Sequence, residues 1–332
     1  MSSHTDKSCE VALKKIAIAT TGGDAPGMNA ALRAATRTAA RKNLKILGFR
    51  RGYEGLLAND SVTLDSRNVG GIIHLGGTIL RTSRSEAMKT REGISRTSEV
   101  LRKNDVDGLI VIGGNGSFKA ACELHRVSGI PIVGIPASID NDLAGTDTTI
   151  GFDTAVNTAL EAIDKIRDTA TSHERVFVVE VMGRNRGFLA LEVGVTAGAE
   201  IILIPEMKYD TVSIRQRLAE GYDKGKKSAI IVMAEGAGNC TDMARSLEEN
   251  TGFEVRLTRL GHLQRGGSPT AYSRLLACKM GISSVEFLLD NRKKDMTAIQ
   301  GGRIVPVDLE YACAVEKPID RQLYELARTL SA

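Results

Sequence analysis

The sequence predicts an α/β protein built on parallel sheets, because its apolar runs are short and continuous, loops rich in glycine or charge follow them, and helical patterns separate them. Continuous apolar runs are typical of strands that are buried on both faces. Repeated succession of strand, loop and helix favours parallel strands with right-handed crossovers. The predicted strands are Ile16–Thr20, Leu44–Phe49, Asp107–Ile112, Ile130–Ile135, Val176–Val181, Ile201–Ile204 and Ala229–Met233.

Helical periodicity is clear in the segment that follows residue 150. Apolar side chains recur there at the spacing of one helix face. They are Ala155, Val156, Ala159, Leu160, Ile163 and Ile166. His173 comes shortly afterwards, and we interpret it as a residue at the C-terminus of this helix, where the helix dipole favours a positive charge.

Length and composition limit the class of function. The 332 residues predict roughly two domains, and a hydrophobic fraction of 42% is enough for two cores. Lys+Arg 44 against Asp+Glu 40 gives a net charge of +4, which is too balanced for a protein built to neutralise nucleic acid. The chain has no Trp and few aromatic residues on which bases could stack. We therefore expect no nucleic-acid partner.

The cysteines and the N-terminal residues bear on the compartment. The chain has five cysteines, and no pair has the spacing of a metal or redox site. We expect reduced thiols in a cytoplasmic protein. Residues 1–11 are polar and are predicted to form a disordered tail. No run of about 18 apolar residues occurs, so we expect no membrane partner.

Loops that follow the predicted strands are candidates for the functional site, because ligands of parallel sheets bind at the carboxyl ends of the strands. Their sequences are TTGGDAPGMN at 20–29, GGNGS at 113–117 and PASIDND at 136–142. Glycines let backbone amides approach a phosphate, although an ordinary tight turn uses the same residues. Asp140 and Asp142 could divide a proton-accepting and a metal-holding role, although an Asx-rich turn is an equal alternative.

A set of cationic residues is the third candidate feature, because the arginine fork matches phosphate oxygens. Arg184 and Arg265 are the strongest members, since glycines flank both. The sequence from Gly221 to Ser228 is one residue short of a P-loop and precedes a strand, so we reject that motif. The whole set is Arg175, Arg184, Arg186, Arg256, Arg259, Arg265, His173 and His262, with a basic cluster at 224–227 that we interpret as a solvated helix end.

Together these loops resemble the bacterial-type 6-phosphofructokinase family. The matching stretches are TGGDAPGMNAALR, HLGGTIL, GGNGS, IDND with AGTDTTIGFDTA, EVMGR, GHLQRGGSP and KGKK, in the family's order. The resemblance implies the phosphofructokinase fold, in which two Rossmann-like domains with parallel sheets hold the active site in the cleft between them. It implies a phosphoryl-donor domain from 12–151 plus 264–312 and a sugar-phosphate domain from 152–263 plus 313–332.

The resemblance also implies a reaction, transfer of the terminal phosphoryl group of magnesium-bound ATP to the C1 hydroxyl of fructose 6-phosphate. The product would be fructose 1,6-bisphosphate, a step of glycolysis. Asp140 matches the family's base, Asp142 the carboxylate near the metal, and Arg184 the arginine that stabilises the moving phosphoryl group. Ser138 stands where the family usually has threonine.

Further binding residues are implied by position in the family's motifs. The nucleotide residues are Gly23, Tyr53, Arg84, Gly114, Asn115, Gly116 and Ser117, and the metal residues are Asn115 and Asp142. The sugar-phosphate residues are Ser138, Arg175, Met182, Gly183, Arg184, Glu235, Arg256, His262 and Arg265. Arg175 and Arg256 match arginines that a neighbouring subunit lends, so the resemblance implies a homotetramer. An allosteric site for a nucleotide or a phosphorylated effector is implied by Arg33, Arg37, Arg167, Glu200, Lys224 and Lys226.

Several positions depart from the family's pattern. Asn115 replaces an aspartate that usually contributes to magnesium binding. Users of pyrophosphate usually carry Asp at 116 and Lys at 137, so Gly116 and Ala137 favour ATP. Arg81 stands where ATP-type loops usually have glycine and suits either donor. The effector site also departs, at Ser66 and Ser228.

Three alternatives stay open at this stage. The first is a pyrophosphate-dependent fructose 6-phosphate 1-phosphotransferase with the same fold. The second is a catalytically weakened regulatory subunit, which Asn115 motivates and the retained pair of Asp140 and Asp142 opposes. The third is a dinucleotide oxidoreductase, which fits the sheet but requires a GxGxxG motif that the chain lacks.

Overall fold

The computed structural model describes residues 13–330 and contains two separate sheets. The strands are β1 Lys15–Thr20, β2 Lys45–Phe49, β3 Ser61–Leu64, β4 Gly108–Gly113, β5 Ile132–Ser138, β6 Ile150–Gly151, β7 Val176–Val181, β8 Ile201–Leu203, β9 Ala229–Ala234, β10 Val255–Arg259, β11 Lys294–Gln300 and β12 Arg303–Asp308. All seven predicted strands are present.

Helices alternate with these strands. They are α1 Met28–Arg41, α2 Gly52–Leu57, α3 Arg91–Lys103, α4 Asn115–Ser128, α5 Phe152–His173, α6 Phe188–Thr196, α7 Thr211–Asp223, α8 Cys240–Thr251, α9 Ala271–Leu289, α10 Leu309–Ala314 and α11 Arg321–Leu330. Short 3-10 turns lie at Ala87–Lys89, Glu235–Ala237 and Gly261–Arg265. Within the described residues, no helix is both long and apolar enough to cross a bilayer.

The larger sheet has the strand order β12-β11-β5-β4-β1-β2-β3, with β6 beside β5, and the smaller sheet has the order β10-β7-β9-β8. The predicted parallel α/β fold is confirmed for the smaller sheet and for the centre of the larger one. At both edges of the larger sheet the pairing is antiparallel. One reason is that only Gly301 and Gly302, both with positive φ, separate β11 from β12. A connection of two residues makes a hairpin and is too short for a parallel crossover.

Helix α5 confirms the predicted helical face. Ala155, Val156, Ala159 and Ile163 are buried in the main core, against which Leu160 and Ile166 pack. The helix ends at His173, as the sequence predicted. α5 also carries the chain from the larger sheet, which it leaves after β6, to the first strand of the smaller sheet.

The two sheets are built from separate stretches of the chain. All strands of the larger sheet lie within 12–151 or 264–312, and all strands of the smaller sheet lie within 152–263. α11 returns to the smaller sheet's side and packs on α6. The domain boundaries themselves stay a prediction. The predicted tail at 1–11 lies outside the described residues.

Helices α1 and α9 pack closely where Gly281 faces alanines of α1. A Cβ at Gly281 would lie 2.6 Å from the Ala31 carbonyl oxygen and 2.8 Å from the Ala34 Cβ. Gly221, in α7, is also inside a helix, but a Cβ there would meet only the Lys226 side chain, at 3.8 Å. The two glycines therefore form a matched pair, one with a backbone contact and one with free space.

We expect Gly281→Ala to lower the free energy of unfolding by about 1–3 kcal/mol, because the methyl group overpacks the α1–α9 contact. Gly221→Ala should raise it by roughly 0.5–1 kcal/mol, because alanine is favoured over glycine inside a helix. Urea titration of both variants and the wild type measures the difference. Equal stabilisation by both substitutions would contradict the close contact at Gly281.

Candidate active site

Three loops singled out in the sequence follow three neighbouring strands of the larger sheet. β1, β4 and β5 are adjacent. Their register places Thr20 beside Ile112 and Ile112 beside Ile135, so the strands end at one edge of the sheet. Loops 21–27 and 139–142 meet at this edge together with Gly114 and the first turn of α4, which residues 115–117 of the predicted glycine loop form.

A cavity of about 870 Å³ opens at this edge of the sheet. It is lined by all the predicted nucleotide residues and by all the predicted catalytic residues. From the predicted set it contains Gly23, Tyr53, Arg84, Gly114, Asn115, Gly116, Ser117, Ser138, Asp140, Asp142, Arg184 and Arg265. These residues lie far apart in the sequence, so the fold brings them together.

Asp140 is buried at the wall of this cavity, with 3% of its surface exposed. Its Oδ2 lies 3.3 Å from Arg184 Nε. Its Oδ1 is buried and has no hydrogen-bond partner among residues 13–330. Burial raises the pKa of the Asp140 carboxyl, Arg184 opposes that rise, and Asp142 adds to it. A carboxylate with one free, shielded oxygen is suited to accept a proton from a bound hydroxyl.

The loop around Asp140 is held by short-range hydrogen bonds. Ser138 Oγ accepts a bond from the Asp140 backbone N–H at 3.1 Å. Thr149 donates its hydroxyl to the Ser138 carbonyl at 2.6 Å. Asn141 takes the left-handed conformation, with φ 50°. The Ser138 hydroxyl therefore orients the loop as an acceptor and keeps its own proton available to donate.

Glu235, which follows β9, holds the backbone of Arg184 in position. Glu235 Oε1 accepts hydrogen bonds from the backbone N–H groups of Gly183, at 3.1 Å, and Arg184, at 2.6 Å. Arg184 has φ 53° and a half-exposed side chain. The sequence predicted that Glu235 binds substrate, and in the structure this carboxylate oxygen fixes the loop that carries Arg184.

Three more of the predicted sugar-phosphate residues, Arg265, His262 and Met182, lie near the same loop. Arg265 reaches from the turn at 261–265 to the first glycine loop, where its Nη1 donates to the Asp24 carbonyl at 3.3 Å. His262 is exposed in the same turn. The Met182 N–H donates to Gln264 Oε1 at 3.4 Å. Gln264 is fully buried and was not predicted as a site residue; glutamine between His262 and Arg265 carries no signal of its own.

Tyr53 lies beneath the start of α4. It is 4% exposed, and its hydroxyl donates to the Ser117 carbonyl at 2.7 Å. Burial raises the pKa of the Tyr53 phenol. Arg81, which the sequence left as suiting either donor, is exposed and is not among the residues that line the cavity.

Arg175 and Arg256 lie away from this cavity. Arg175 precedes β7, and Arg256 pairs with Phe177 near the amino end of the same strand. Arg184, by contrast, follows the carboxyl end of β7. Both arginines form ion pairs with Glu254, Arg175 at 2.7 Å. Within one chain they do not join the candidate site, and their role toward a neighbouring subunit stays a prediction.

Part of the predicted effector site is assembled around Arg167. This side chain donates to the carbonyls of Ala197, at 2.7 Å, and Gly198, at 3.1 Å. Its Nη1 lies 4.0 Å from Glu200 Oε1. The Arg167–Glu200 pair therefore lies just before β8, an edge strand of the smaller sheet.

The other predicted effector residues divide between two places. Glu200 and Lys226 line one small cavity, and Lys224 and Lys226 line a neighbouring one. Arg33 and Arg37 lie on α1, which packs against α9, and they line neither cavity. A single chain therefore brings together only the members from the smaller sheet.

Residues at the predicted metal position fit a magnesium ion. Asn115 Oδ1 is buried without a hydrogen-bond partner among the described residues, and Asp142 lines the same cavity. Residues 13–330 contain no cluster of three or more His, Cys, Asp or Glu side chains that could hold a metal. Magnesium does not require such a cluster, because it is usually held by one or two carboxylates together with substrate phosphates.

Comparison with known proteins places this geometry in a family. The model of the family described as "Phosphofructokinase" matches residues 15–288. The chain is 51% identical to an ATP-dependent 6-phosphofructokinase of Thermotoga neapolitana and 51% identical to one of Brevibacillus brevis. Each alignment covers 96% of this chain and 100% of the relative.

A solved structure agrees with these relatives. Phosphofructokinase from Pichia pastoris in the T-state is 34% identical, with a TM-score of 0.88 over 96% of this chain and 36% of the yeast chain. The match confirms the predicted phosphofructokinase fold. Since the yeast chain is much longer, its assembly is not transferred to this protein.

Proposed function

Because this chain belongs to the phosphofructokinase family, we propose that it transfers the terminal phosphoryl group of ATP to the C1 hydroxyl of fructose 6-phosphate. The products are fructose 1,6-bisphosphate and ADP, as in glycolysis. The observation that supports this reaction most directly is the buried carboxylate of Asp140, which lines the same cavity as residues 114–117 and whose Oδ1 has no hydrogen-bond partner among the described residues.

Asp140 acts as the general base. Its Oδ1 takes the proton of the C1 hydroxyl as that oxygen bonds to the terminal phosphorus, and the bond from this phosphorus to the bridging oxygen of ADP breaks. General base catalysis of this kind contributes about 10²–10⁴-fold to a rate. The raised pKa of the Asp140 carboxyl makes it a better proton acceptor than a solvated aspartate.

Arg184 and Arg265 supply positive charge. Arg184 pairs with Asp140 through one oxygen only, and its half-exposed side chain has room to turn toward an incoming phosphate. Arg265 ends the turn at 261–265 and reaches the first glycine loop. Phosphoryl transfer depends mainly on positioning and on neutralisation of charge, which two arginines on one cavity provide.

Asn115 and Asp142 are the residues that would hold magnesium. When bound, the ion would neutralise the charge that develops on the donor's phosphates. Asp142 offers a carboxylate oxygen, and Asn115 offers a carboxamide oxygen of the same shape without the charge. Gly114, at the N-terminus of α4, leaves the backbone amides of this loop open to the donor's phosphates.

We expect Asn115→Asp to lower the magnesium concentration at half-maximal rate by about tenfold, because a charged oxygen binds a hard cation better than a carboxamide. Rates titrated with magnesium at fixed ATP measure the shift. Asn250→Asp, an exposed asparagine at the end of α8, is the matched control and should leave the titration unchanged. Superimposable curves for Asn115→Asp and the wild type would contradict this role.

The choice of donor is tested by initial rates with ATP and with pyrophosphate at saturating fructose 6-phosphate. The space beside Gly116 supports ATP, since a Cβ there would meet no atom within 4 Å. Faster turnover with pyrophosphate would overturn the proposed donor and favour the pyrophosphate-dependent alternative. Binding of fructose 6-phosphate without turnover on either donor would favour the weakened regulatory subunit.

The positions of two arginines bear on the subunit number. We propose a homotetramer in which Arg175 and Arg256 reach the active site of a neighbouring subunit, because neither joins the cavity of its own chain. Light scattering on the purified protein tests the subunit number.

We also propose a cytoplasmic protein, supported by the four described cysteines, all free thiols. The predicted nucleotide effector is tested by rate measurements with added ADP.

A further inference from the structure

Lys317 lies beside the catalytic loop although it comes from the C-terminal end of the chain. It follows α10, and its partly buried Nζ donates to Asn141 Oδ1 at 2.9 Å and to the Asp147 carbonyl at 3.0 Å. Asn141 stands between Asp140 and Asp142. Lys317 is not among the residues that line the active-site cavity, so it contacts the loop from behind.

The loop that Lys317 contacts has an uncommon backbone. Asn141 is 6% exposed and left-handed, with φ 50°. Its side-chain amide donates to the Asp147 carbonyl at 3.4 Å. The left-handed conformation is uncommon for residues other than glycine, although asparagine adopts it more readily than most, and the contacts of the Asn141 side chain help to hold it. Lys317 is the cation that bonds both the Asn141 side chain and the carbonyl to which that side chain donates.

Lys317 is itself fixed from several directions. Glu316 forms an isolated antiparallel bridge with Leu143, one residue past the catalytic loop. Arg186 donates to both Glu316 and the Lys317 carbonyl. The Lys317 Nζ lies 5.3 Å from the centre of the Phe188 ring, a cation–π contact. Because both its backbone and its ammonium group are held, the Lys317 side chain has little freedom to move.

The other end of this arrangement is anchored to the larger sheet. The Asp147 N–H donates to the Ile299 carbonyl at 2.8 Å, and Asp147 Oδ2 accepts from the Gly301 N–H at 2.8 Å. Ile299 belongs to β11, and Gly301 to the turn that follows it. Lys317 thus connects the catalytic loop to a segment that the sheet holds in place.

We propose that Lys317 is a positioning residue that holds Asn141 left-handed and thereby sets the placement of the carboxylates of Asp140 and Asp142. It touches no substrate, so its effect is on the geometry of the reacting groups, where small displacements are costly. The proposal rests on the proposed function, since it assigns the loop a role in phosphoryl transfer. Lys317 lies outside the sequence motifs that identify the family.

The first test compares Lys317→Met and Lys317→Arg with the wild type, using whichever donor the wild type accepts. We expect Lys317→Met to lower kcat about tenfold, because a hydrogen bond to a charged group is lost at the loop, with KM for both substrates within about twofold. Lys317→Arg keeps the charge and donors and should restore most of kcat. Lys293→Met, an exposed lysine that precedes β11, is the matched control and should behave as the wild type.

The second test asks whether Lys317 acts through Asn141. We expect Asn141→Ala to lower kcat, and Lys317→Met in that background to lower it no further, as coupled residues require. Additive losses, an unchanged kcat in Lys317→Met, or a change confined to KM would overturn the positioning role. A wild type without turnover on either donor would instead refute the proposed function, so the two failures are distinct.

Discussion

Replacing Asp140 with asparagine should lower kcat by about 10²–10⁴-fold while fructose 6-phosphate and ATP still bind. The substitution keeps the shape of the side chain and removes the oxygen that accepts the hydroxyl proton. Asp140 Oδ1 has no hydrogen-bond partner among the described residues, so replacing this atom removes no hydrogen bond from the folded protein. Steady-state rates together with calorimetric titration of fructose 6-phosphate separate turnover from binding.

Asp164→Asn is the control for Asp140→Asn, since it makes the same chemical change at an exposed position on α5. Its kcat and binding should match those of the wild type. If Asp140→Asn retained most of kcat, the proton would have to leave by another route. If it lost binding of fructose 6-phosphate instead, Asp140 would be a ligand of the sugar and not the base.

Replacing Gly116 with aspartate should lower kcat/KM for ATP by at least about 10²-fold, because juxtaposed like charges cost several kcal/mol. The position faces open space in the cavity, so the new carboxylate would occupy room that the donor's phosphates need. The fold should be unaffected, since no neighbouring atom lies within 4 Å of an added Cβ. Rates with varied ATP at saturating fructose 6-phosphate give the ratio.

Gly116→Ala separates charge from bulk in this experiment. A methyl group enters the same space without a charge, so kcat/KM for ATP should stay close to the wild-type value. Comparable losses in both variants would show that the backbone's freedom matters and the charge does not. Full activity of Gly116→Asp would show that ATP passes elsewhere and would remove the structural argument for donor choice.

The sequence located the loops of the candidate site where the preceding strands are fully buried. β1, β4 and β5 are continuous apolar runs, so their ends could be located, and with them the loops that carry Gly23, Gly114 and Asp140. The paired placement of Arg184 and Asp140 required the fold, because β7 belongs to a different sheet from β5.

The strands that escaped prediction lack this continuous apolar pattern. β11 begins KDMT, β12 contains Pro306, and β10 reads VRLTR with only Val255 buried. Pro306 cannot donate a backbone hydrogen bond and is tolerated because β12 is an edge strand. The contact between Lys317 and Asn141 spans 176 positions, and no local pattern in the sequence indicates it.

The chain crosses between its two sheets three times, through α5, through the turn at 261–265 that leads to α9, and through the segment between α10 and α11. One connection would let the two sheets rotate freely relative to each other, whereas three connections restrict their relative motion to a hinge about one axis. In the third connection, Glu316 forms an antiparallel bridge with Leu143, which follows the candidate catalytic residue Asp142. The backbone beside Asp142 is therefore tied to both sheets, through β5 on one side and through this connection on the other.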